Sequence, residues 1–511
     1  MIGLVGTIFA LPSSAASSLA EMQRQATSLE MKGQWYEACA LYDQILLRDR
    51  NQPKIRRAFR RTLRHLRQDR RFKNSVLQQR MADLAPTAAL DLYQEVLSIL
   101  SEAHVERDRA KLTKLFRAGL KELRFALDKP GFSRRYLLKA ARDRIHSFRA
   151  QLDQWMKLTI RDSYAARDLA REIVLKAAAI NLRPGVVILE LACGACHSLD
   201  EHTCYLSPHR MTVLQAAKKN KFVGIGIELS VRKQRLVISR VHKKSPAEEM
   251  GLARGDRLVR IDGHWLDPHD PDAARDRLLG GVGSTVGVEM LRLGKSSQGK
   301  VSRQAVAPTS VDFERIEEAG RYLGYIRIHH FQASTGQEVK EALAQLEMMS
   351  VEGIILDLRD NPGGAFRAGL QVAELFLEEG VITRTSSPLP GWTRTYRVQN
   401  PAANELPLVV LVNSTTASAA EVVAAALKDN KKRAYLIGST TFGKGSIQCS
   451  ISLERAPGGL HLTFARFTTP NSQPLNERGV VPDLNVARNS LVLKTAIQYF
   501  FPPAPMTPDM Q

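Results

Sequence analysis

The sequence has little of what a membrane-spanning or disulfide-stabilised protein would need. No stretch reaches the ~18 consecutive apolar residues of a transmembrane helix. Only five cysteines occur among 511 residues, and an odd number argues against a fully paired disulfide framework. Acidic residues are outnumbered, with 52 Asp and Glu against 73 Lys and Arg, which leaves a formal charge of +21. This imbalance would suit an acidic partner such as nucleic acid or an anionic membrane surface.

The positive charge is densest in one segment with a helical pattern, between Lys54 and Arg80. Its arginines are Arg56, Arg57, Arg60, Arg61, Arg64, Arg67, Arg70 and Arg71. Their spacing distributes them around the helix, and no regular set of aromatic residues accompanies them, so we favour a solvated basic face. A dedicated anion-binding surface is the alternative, and salt-sensitive retention on DNA or RNA would identify it.

The start of the chain lacks the positively charged residues that usually open a secretory signal. It does contain a short apolar run followed by small residues, M-I-G-L-V-G-T-I-F-A-L-P-S-S-A-A-S. This pattern resembles a signal peptide over residues 1–18, with cleavage after Ala16. It favours a periplasmic, cell-envelope or secreted protein. The alternative is a buried first helix in a cytoplasmic protein.

Helical periodicity begins at Leu19 and continues until Arg183-Pro184-Gly185 stops it, and 44% hydrophobic composition is enough for real cores. Small and aromatic residues match the second half of a tetratricopeptide repeat at Gly33, Trp35, Ala38, Tyr42 and Ile45. We therefore predict a tetratricopeptide-like helical region at 19–85, either a docking surface for a protein partner or a structural cap. A second helical region is predicted at 86–220, packing partly on the domain that follows.

From Phe222 the periodicity changes from helix to strand. The segment from Ser245 to Gly263 predicts a capped short helix, a glycine turn and a hairpin turn. This order resembles a PDZ domain of the circularly permuted kind found in bacterial proteases, at 221–308. The resemblance implies that a loop receives the terminal carboxylate of a peptide that adds as a strand. The loop residues are Gly224, Ile225, Gly226 and Ile227. The alternative is a PDZ domain that only braces its neighbour.

Two buried strands further along the chain end in turns suited to chemistry. The run G-I-I-L-D-L-R-D-N-P-G-G, from Gly353 to Gly364, ends in a glycine turn where backbone can approach a ligand closely. The run L-V-V-L-V-N leads directly into S-T-T-A-S-A-A-E, a strand-to-helix turn that exposes a serine beside helix N–H groups. We assign the N-cap of this helix to Ser414. The later T-F-G-K-G lacks the spacing of a P-loop, which argues against a nucleotide site.

Three ordered motifs carry a family resemblance: D-L-R-D-N-P-G-G, T-T-A-S-A-A-E and T-F-G-K-G-S-I-Q. With the PDZ-like segment, S-L-D-E-H-T-C-Y-L-S-P before it and G-V-V-P-D near the end, they resemble the carboxyl-terminal processing peptidases, also called tail-specific proteases. The resemblance implies a multidomain α+β fold, with a helical N-terminal region, the PDZ-like β-rich module and a peptidase core at 309–500. That core would be of the ββα-repeat type of crotonase-like and ClpP-like proteins, with a tail at 501–511. Compared with the family, residues 130–198 are a helical insertion.

The resemblance places the nucleophile on Ser418, the general base on Lys444 and a glutamine that steadies the lysine on Gln448. A lysine can act as a base only when neutral, which requires burial because desolvation lowers the pKa of an amine. We interpret residues 442–448 as one buried strand, which would place Lys444 and Gln448 on the same face.

The predicted oxyanion hole consists of backbone N–H groups of Ala419 and of Gly363 or Gly364. Donors of this kind stabilise the negative charge that develops on the attacked carbonyl oxygen. The implied activity is that of a serine endopeptidase that cleaves proteins with exposed C-terminal tails through an acyl-enzyme. It requires no cofactor and no metal. The alternative is a catalytically weak scaffold in which the PDZ-like module and the helices recruit protein partners.

The run C-G-A-C-H, from Cys193 to His197, matches the C-x-x-C-H pattern of covalent haem attachment. No distal haem ligand is identifiable, and the run lies directly before the S-L-D-E-H-T segment of the family resemblance. We favour inert thiols. A disulfide or metal site with Cys204 and a covalent haem are the alternatives.

Overall fold

The computed structural model describes residues 18–502 except 51, 209, 213, 215–221, 233–234, 269, 307–308 and 456–457. The predicted signal at 1–18 and the predicted tail at 501–511 therefore lie almost wholly outside the described residues. Ser18 caps the first helix, because its Oγ accepts the N–H of Glu21 at 3.2 Å. None of the described helices has both the length and the apolar character needed to cross a bilayer.

The N-terminal part of the chain is helical, as its periodicity predicts, but the expected stop at Arg183-Pro184-Gly185 is wrong because a further helix begins at Pro184. Its helices are α1 (Leu19–Met31), α2 (Trp35–Arg48), α3 (Pro53–Lys73), α4 (Ser75–Ala82), α5 (Pro86–Ala103), α6 (Leu112–Asp128), α7 (Pro130–Phe132), α8 (Arg142–Trp155), α9 (Ser163–Ala177) and α10 (Pro184–His197). A π-helical turn at Ser133–Leu137 and a 3-10 turn at Ala178–Ile180 join them. Helices α3, α5 and α10 begin with proline. Proline has no backbone N–H to donate, and it fits the first helical turn because N–H groups at that position have no intrahelical acceptor.

Helices α1 and α2 pack together around small, aromatic and aliphatic side chains, including Ala38, Tyr42 and Ile45. Gly33 adopts a φ of +71° in the turn between them. We call α1–α3 the N-terminal helical unit. Its assignment to the tetratricopeptide type stays a prediction.

Residues 130–198, which we predict to be an insertion, contribute a central element of the fold. Helix α10 is buried along most of its length and packs against α5 and α6. A Cβ atom at Gly194 would lie 2.6 Å from the carbonyl oxygen of Ala118, and one at Gly119 would lie 2.6 Å from that of Leu191. The α6 and α10 backbones therefore approach so closely that glycine is required on both helices.

A short strand β1 (Cys204–Leu206) follows α10, and the β-rich module comes next. Its elements are β2 (Phe222–Gly224), β3 (Ile227–Arg232), β4 (Arg235–Val241), α11 (Pro246–Glu249), β5 (Arg257–Ile261), β6 (His264–Trp265), α12 (Pro271–Leu278), β7 (Thr285–Arg292), β8 (Lys295–Ser302) and β9 (Gln304–Val306). The sheet order is β3-β4-β5-β7-β8, with β6 on β5, and β2 pairs separately with β9. The module has its own hydrophobic core, which includes Ile238, Leu258 and Val286.

The C-terminal core combines two sheets. Its elements are β10 (Val311–Glu318), β11 (Arg321–Ile328), α13 (Thr335–Met348), β12 (Ile354–Asp357), α14 (Phe366–Glu374), β13 (Glu379–Ser386), β14 (Arg394–Gln399), β15 (Leu408–Val412), α15 (Ala419–Asp429), β16 (Tyr435–Gly438), β17 (Ser446–Ser452), β18 (Gly459–Thr468), β19 (Leu484–Asn485) and α16 (Asn489–Phe500). One sheet has the order β10-β11-β12-β15-β16-β19, and the other has β1-β18-β13-β14 with β17 on β18. The predicted multidomain α+β fold is confirmed.

The sheet topology brings the three sequence motifs together. Strands β12, β15 and β16 are adjacent and parallel. The glycine turn follows β12, the serine turn follows β15, and the lysine loop at 439–445 follows β16. Because adjacent parallel strands present their carboxyl ends at one edge of a sheet, the three segments meet there.

The arginines of α3 mostly form ion pairs within the protein. Arg71 contacts Glu190 at 2.6 Å and Glu122 at 3.1 Å, and only 7% of its surface is exposed. Arg60 contacts Glu201 at 2.9 Å. The expected solvated face is wrong for these arginines, because they hold α3 against α6, α10 and the segment that precedes β1.

Candidate active site

Ser418 occupies the turn between β15 and α15. Its φ of +58° is unusual for a residue other than glycine, and such strain is retained where surrounding contacts enforce it. Ser418 is half-buried and stands at the N-cap position of α15. The expected N-cap at Ser414 is therefore wrong, because the helix begins at Ala419 and not earlier.

The side chain of Glu421 joins the serine turn to the lysine loop. Its Oε2 accepts the backbone N–H groups of Ser418 and Lys444, each at 2.8 Å. Its Oε1 accepts the N–H of Gly443 at 2.6 Å and the hydroxyl of Thr441 at 2.5 Å. Burial raises the pKa of Glu421, and these four hydrogen bonds oppose the rise. One buried carboxylate thus holds the backbones of Ser418 and Lys444 side by side.

Sequence reasoning missed Glu421 as a site residue, although a signal was present. Ser418 and Glu421 have the S-x-x-E spacing of a capping box, in which the glutamate reaches back to the N-cap N–H. The additional contacts to the lysine loop arise only when β15 and β16 lie next to each other.

Lys444 has the burial that a lysine base requires. Only 3% of its surface is exposed. Burial lowers the pKa of Lys444 to about 7, and the charges of Asp200, Glu421 and Glu201 oppose the shift. The lysine lines a cavity of about 80 Å³, whose wall also includes Leu46, Phe59, Leu63, Glu201, His202 and Phe442.

A tight turn in the S-L-D-E-H-T segment, at residues 200–203, lies beside this lysine. Asp200 Oδ1 accepts the N–H groups of His202 at 2.7 Å and Thr203 at 2.6 Å, and its Oδ2 lies 2.9 Å from His104 Nε2. Burial opposes ionisation of Asp200, but the hydrogen bond to His104 and the neighbouring charges hold its pKa below the usual value. Burial also lowers the pKa of His202 to about 4, with a contribution from the charge of Lys444.

The third predicted member of the site, Gln448, lies in β17, which begins only at Ser446. Lys444 precedes the strand, and the ladder has an irregularity immediately before Gln448. The interpretation of 442–448 as one strand is therefore wrong, and the same-face argument does not apply. The Gln448 amide donates to Ser446 Oγ at 2.9 Å and to Thr463 Oγ1 at 3.3 Å. Its action on Lys444 stays a prediction.

The glycine turn after β12 packs directly against the serine turn. Gly363 and Gly364 adopt φ values of +90° and +142°. A Cβ atom on Gly363 would lie 2.6 Å from the Cβ of Ser418, and one on Gly364 would lie 2.0 Å from the carbonyl oxygen of Phe331. Only glycine fits at either position.

The N–H groups of this turn have different partners. The N–H of Gly363 donates to Asn361 Oδ1 at 2.8 Å, so it is already engaged. Two backbone hydrogen bonds join this turn to Phe331: the carbonyl of Gly363 accepts the N–H of Phe331, and the N–H of Ala365 donates to the carbonyl of Phe331. The N–H of Gly364 takes part in neither. Ala419 is the first residue of α15, so its N–H has no intrahelical acceptor.

Asn361 organises the same turn and was not singled out from the sequence. Its side chain is fully buried, with Oδ1 on the N–H of Gly363 and Nδ2 donating to the carbonyl of Ile328 at 2.8 Å. Its carbonyl accepts the N–H of Ala417 at 2.9 Å, one residue before Ser418. Asn361 thereby connects the glycine turn to the serine turn.

The C-x-x-C-H run lies inside α10. Cys193 and Cys196 are buried thiols without a disulfide. Burial raises the pKa of Cys193 to about 12 and raises that of Cys196 well above its usual value. Within the described part of the chain, no group of three or more His, Cys, Asp or Glu side chains is placed to hold a metal ion.

The predicted carboxylate loop of the β-rich module lies beside the edge strand β3. The carbonyl of Ile225 accepts the N–H of Ala247, and that of Gly226 accepts the N–H of His242, each at 2.9 Å. A Cβ atom on Gly226, which has a φ of +85°, would lie 2.2 Å from the Cβ of Ser245. The loop thus turns these two carbonyl groups into the module, next to the edge strand β3. The carbonyl of Leu229 in β3 accepts a hydrogen bond from Arg275 Nη2 of α12 at 3.0 Å.

Two family models match the chain. Peptidase family S41 matches residues 322–486, and the PDZ domain matches residues 223–302. The carboxyl-terminal-processing protease of Synechocystis sp. is 36% identical over 292 residues, which are 56% of this chain and 68% of that relative. The carboxyl-terminal-processing protease of Picosynechococcus sp. is 34% identical over 288 residues, which are 56% of this chain and 69% of that relative.

Two further likenesses are more distant. The chloroplastic carboxyl-terminal-processing peptidase 3 of Arabidopsis thaliana is 32% identical over 311 residues, 58% of this chain and 60% of that relative. Among solved structures, the photosystem II D1 C-terminal processing protease is 26% identical, with a TM-score of 0.48 and coverage of 78% of this chain and 92% of that one.

Proposed function

The chain belongs to peptidase family S41 and is a carboxyl-terminal-processing serine protease with a PDZ domain, and we propose that it works through Ser418 as nucleophile and Lys444 as general base. The observation that carries the assignment of roles is the joint attachment of both residues to Glu421. A serine hydroxyl is a weak nucleophile near neutral pH unless a neighbouring base removes its proton. The buried amine of Lys444 is suited to this task.

In the proposed reaction, Ser418 Oγ attacks the carbonyl carbon of the scissile peptide bond while its proton passes to the neutral Lys444 amine. The carbonyl oxygen becomes an oxyanion that accepts the N–H groups of Gly364 and Ala419. The intermediate collapses as the lysine ammonium protonates the leaving amine, which gives an acyl-enzyme on Ser418. Lys444, again neutral, then activates water to release the new carboxyl terminus.

Assignment of the oxyanion donors to Gly364 and Ala419 is narrower than the sequence prediction. It is supported by the engagement of the Gly363 N–H with Asn361. Gly363 itself has a supporting role, because its missing side chain leaves space for Ser418.

The pH dependence of kcat/KM tests the base. Since only the neutral amine accepts a proton, activity should rise about tenfold per pH unit below the Lys444 pKa of about 7 and level off above it. The measurement is kcat/KM of the full chain on a fluorogenic peptide between pH 5 and pH 9. A flat profile across this range would contradict Lys444 as the base.

We further propose that the PDZ domain receives the C-terminal tail of the protein substrate. The tail would add as a strand to the outer edge of β3, with its carboxylate at the loop of Gly224, Ile225, Gly226 and Ile227. This is supported by the edge position of β3 and by the required glycine at Gly226. The tail would then be delivered to the sheet edge that carries Ser418.

Peptide binding to the catalytically inactive Ser418→Ala variant tests the proposed carboxylate site. A peptide with an apolar last residue and a free carboxylate should bind about tenfold or more tightly than the same peptide as its amide, because loop N–H groups would lose their anionic partner. Fluorescence anisotropy gives both dissociation constants. Equal affinities would contradict a carboxylate site in this loop.

The proposed cellular location follows from the segment at 1–18. Its apolar run and small residues are those of a secretory signal, so we place the mature protein in the cell envelope or outside the cell. Protein substrates in that location would be those with exposed C-terminal tails.

A further inference from the structure

The N-terminal helical unit contacts the lysine loop through Arg50, which lies between α2 and α3. Arg50 Nη2 donates to the carbonyl of Thr440 at 3.2 Å, and its Nη1 donates to the carbonyl of Arg478 at 3.3 Å. These acceptors are about 400 residues away along the chain, so the contact exists only in the folded protein. Arg50 is half-buried, and this burial lowers the pKa of its guanidinium.

The two acceptors belong to two segments that already hold each other. The N–H of Thr441 donates to the carbonyl of Val480 at 3.1 Å, and the N–H of Glu477 donates to that of Gly443 at 2.7 Å. The first segment continues directly into Lys444. Arg50 therefore clamps both sides of the loop from which the lysine extends.

Arg50 also separates two cavities. One is the small cavity of about 80 Å³ that Lys444 lines. The other cavity has a volume of about 650 Å³ and a mainly polar lining, which includes Asp200, Ser446 and Arg466. Arg50 and four other residues line both cavities and so form the wall between Lys444 and the larger polar space; the four are Glu201, His202, Asn476 and Glu477.

The rest of the N-terminal helical unit closes the small cavity from the other side. Leu46 and Leu47 of α2 and Phe59 and Leu63 of α3 supply apolar wall. Ion pairs hold this wall in place, with Arg60 on Glu201 at 2.9 Å and Arg56 on Glu477 at 3.2 Å. The burial of Lys444 thus depends on helices that lie outside both matched family models, the earlier of which begins at residue 223.

We propose that Arg50 is a positioning residue, through which the N-terminal helical unit holds the lysine loop closed and keeps the Lys444 side chain out of water. The proposal rests on the proposed function, since it takes Lys444 as the general base. It makes the helical unit a part of the active centre.

The test compares Arg50→Ala, Arg50→Lys and the wild type in the full chain, with Arg57→Ala as a matched control. Arg57 is an exposed arginine on the same helical unit. Two quantities are measured across pH, kcat/KM on the fluorogenic peptide and the rate at which acetic anhydride labels Lys444, followed by mass spectrometry. The labelling rate reports the titration and accessibility of the amine whether or not the enzyme turns over.

For Arg50→Ala we expect the pKa of Lys444 to rise by at least about one unit, both in the pH profile of kcat/KM and in that of the labelling rate. The reason is that an amine exposed to water is more basic than a buried one. The resulting loss of kcat/KM at pH 7 should be about tenfold or more and should be largely recovered at alkaline pH. Arg50→Lys keeps a donor and a charge, so it should show a smaller shift of the same sign. Arg57→Ala should match the wild type.

Unchanged labelling and pH profiles in Arg50→Ala would overturn the proposal, and so would an equal loss of activity at every pH. If Arg50→Ala fails to fold, Arg50→Lys decides the question, and an unshifted profile in that variant overturns the proposal. Failure of the proposed function gives a different result. The wild-type activity would then show no titration at the pH where Lys444 labelling titrates, although labelling would still move in the Arg50 variants.

Discussion

Replacement of Ser418 by alanine is expected to lower kcat/KM on a tail-bearing peptide by about 10⁴-fold or more, and replacement of Lys444 should have an effect of the same order. The first change removes the nucleophile, and the second removes the group that takes its proton. Lys444→Arg should be as inactive as Lys444→Ala, because an arginine remains protonated in proteins and cannot act as a base. The measurement is steady-state cleavage by the purified full chain.

The two residues act as one unit, so their effects should not add. The double variant is expected to be about as slow as either single variant. Ser414→Ala is the matched control for Ser418→Ala, since Ser414 precedes the N-cap of α15 by four residues. Lys431→Ala is the matched control for Lys444→Ala, since Lys431 is exposed. Both controls should retain activity. Substantial cleavage by Lys444→Arg, or a double variant much slower than both single ones, would contradict the proposed pair.

Replacement of Glu421 by alanine should cause the second large loss, although Glu421 touches no substrate. It would leave three buried N–H groups and the Thr441 hydroxyl without their acceptor. We expect kcat/KM to fall by about 10²–10³-fold, because small displacements of reacting groups are costly. The free energy of unfolding should decrease by about 2–5 kcal/mol.

Glu421→Gln separates positioning from packing. The amide keeps the size of the side chain but turns one acceptor into a donor that faces other donors, so an intermediate loss is expected. Glu379→Gln is the control, since Glu379 pairs with Lys431 at an exposed site, where such pairs contribute little. Chemical denaturation and peptide cleavage measure the two effects. Wild-type kcat/KM in Glu421→Ala would refute the role of this carboxylate.

The features that the sequence could predict are those that depend on local pattern, namely the change from helical to β-rich structure and the turns that carry the candidate site residues. Helical and strand periods distinguish the N-terminal region from the β-rich module. The turn at Gly363 and Gly364 can be predicted because glycine pairs mark backbone angles that other residues do not tolerate. The serine turn can be predicted because an apolar strand pattern leads directly into a helical one. These are constraints between residues that are close along the chain.

The wrong predictions share a different cause. The strand assigned to 442–448 begins at Ser446, since the backbone of the lysine loop binds Glu421 and not a neighbouring strand. The basic face of α3 was expected to be solvated, but partners such as Glu190 and Glu201 lie more than 100 residues away along the chain. Neither the contact of Glu421 with the lysine loop nor the ion pairs of the α3 arginines produce a periodic pattern in the sequence.

The sequence by itself determined which residue types are available for the chemistry, and Ser418 and Lys444 were identified from it. Only the tertiary structure decided that the amine of Lys444 is buried, because its surroundings come from the N-terminal helical unit, the Asp200 turn and the loop after β16. The pKa of an amine depends on solvent and charge within a few ångströms, whatever their distance along the chain. The reactivity of the lysine is therefore a property of the assembled domains, and the N-terminal helical unit is one of them.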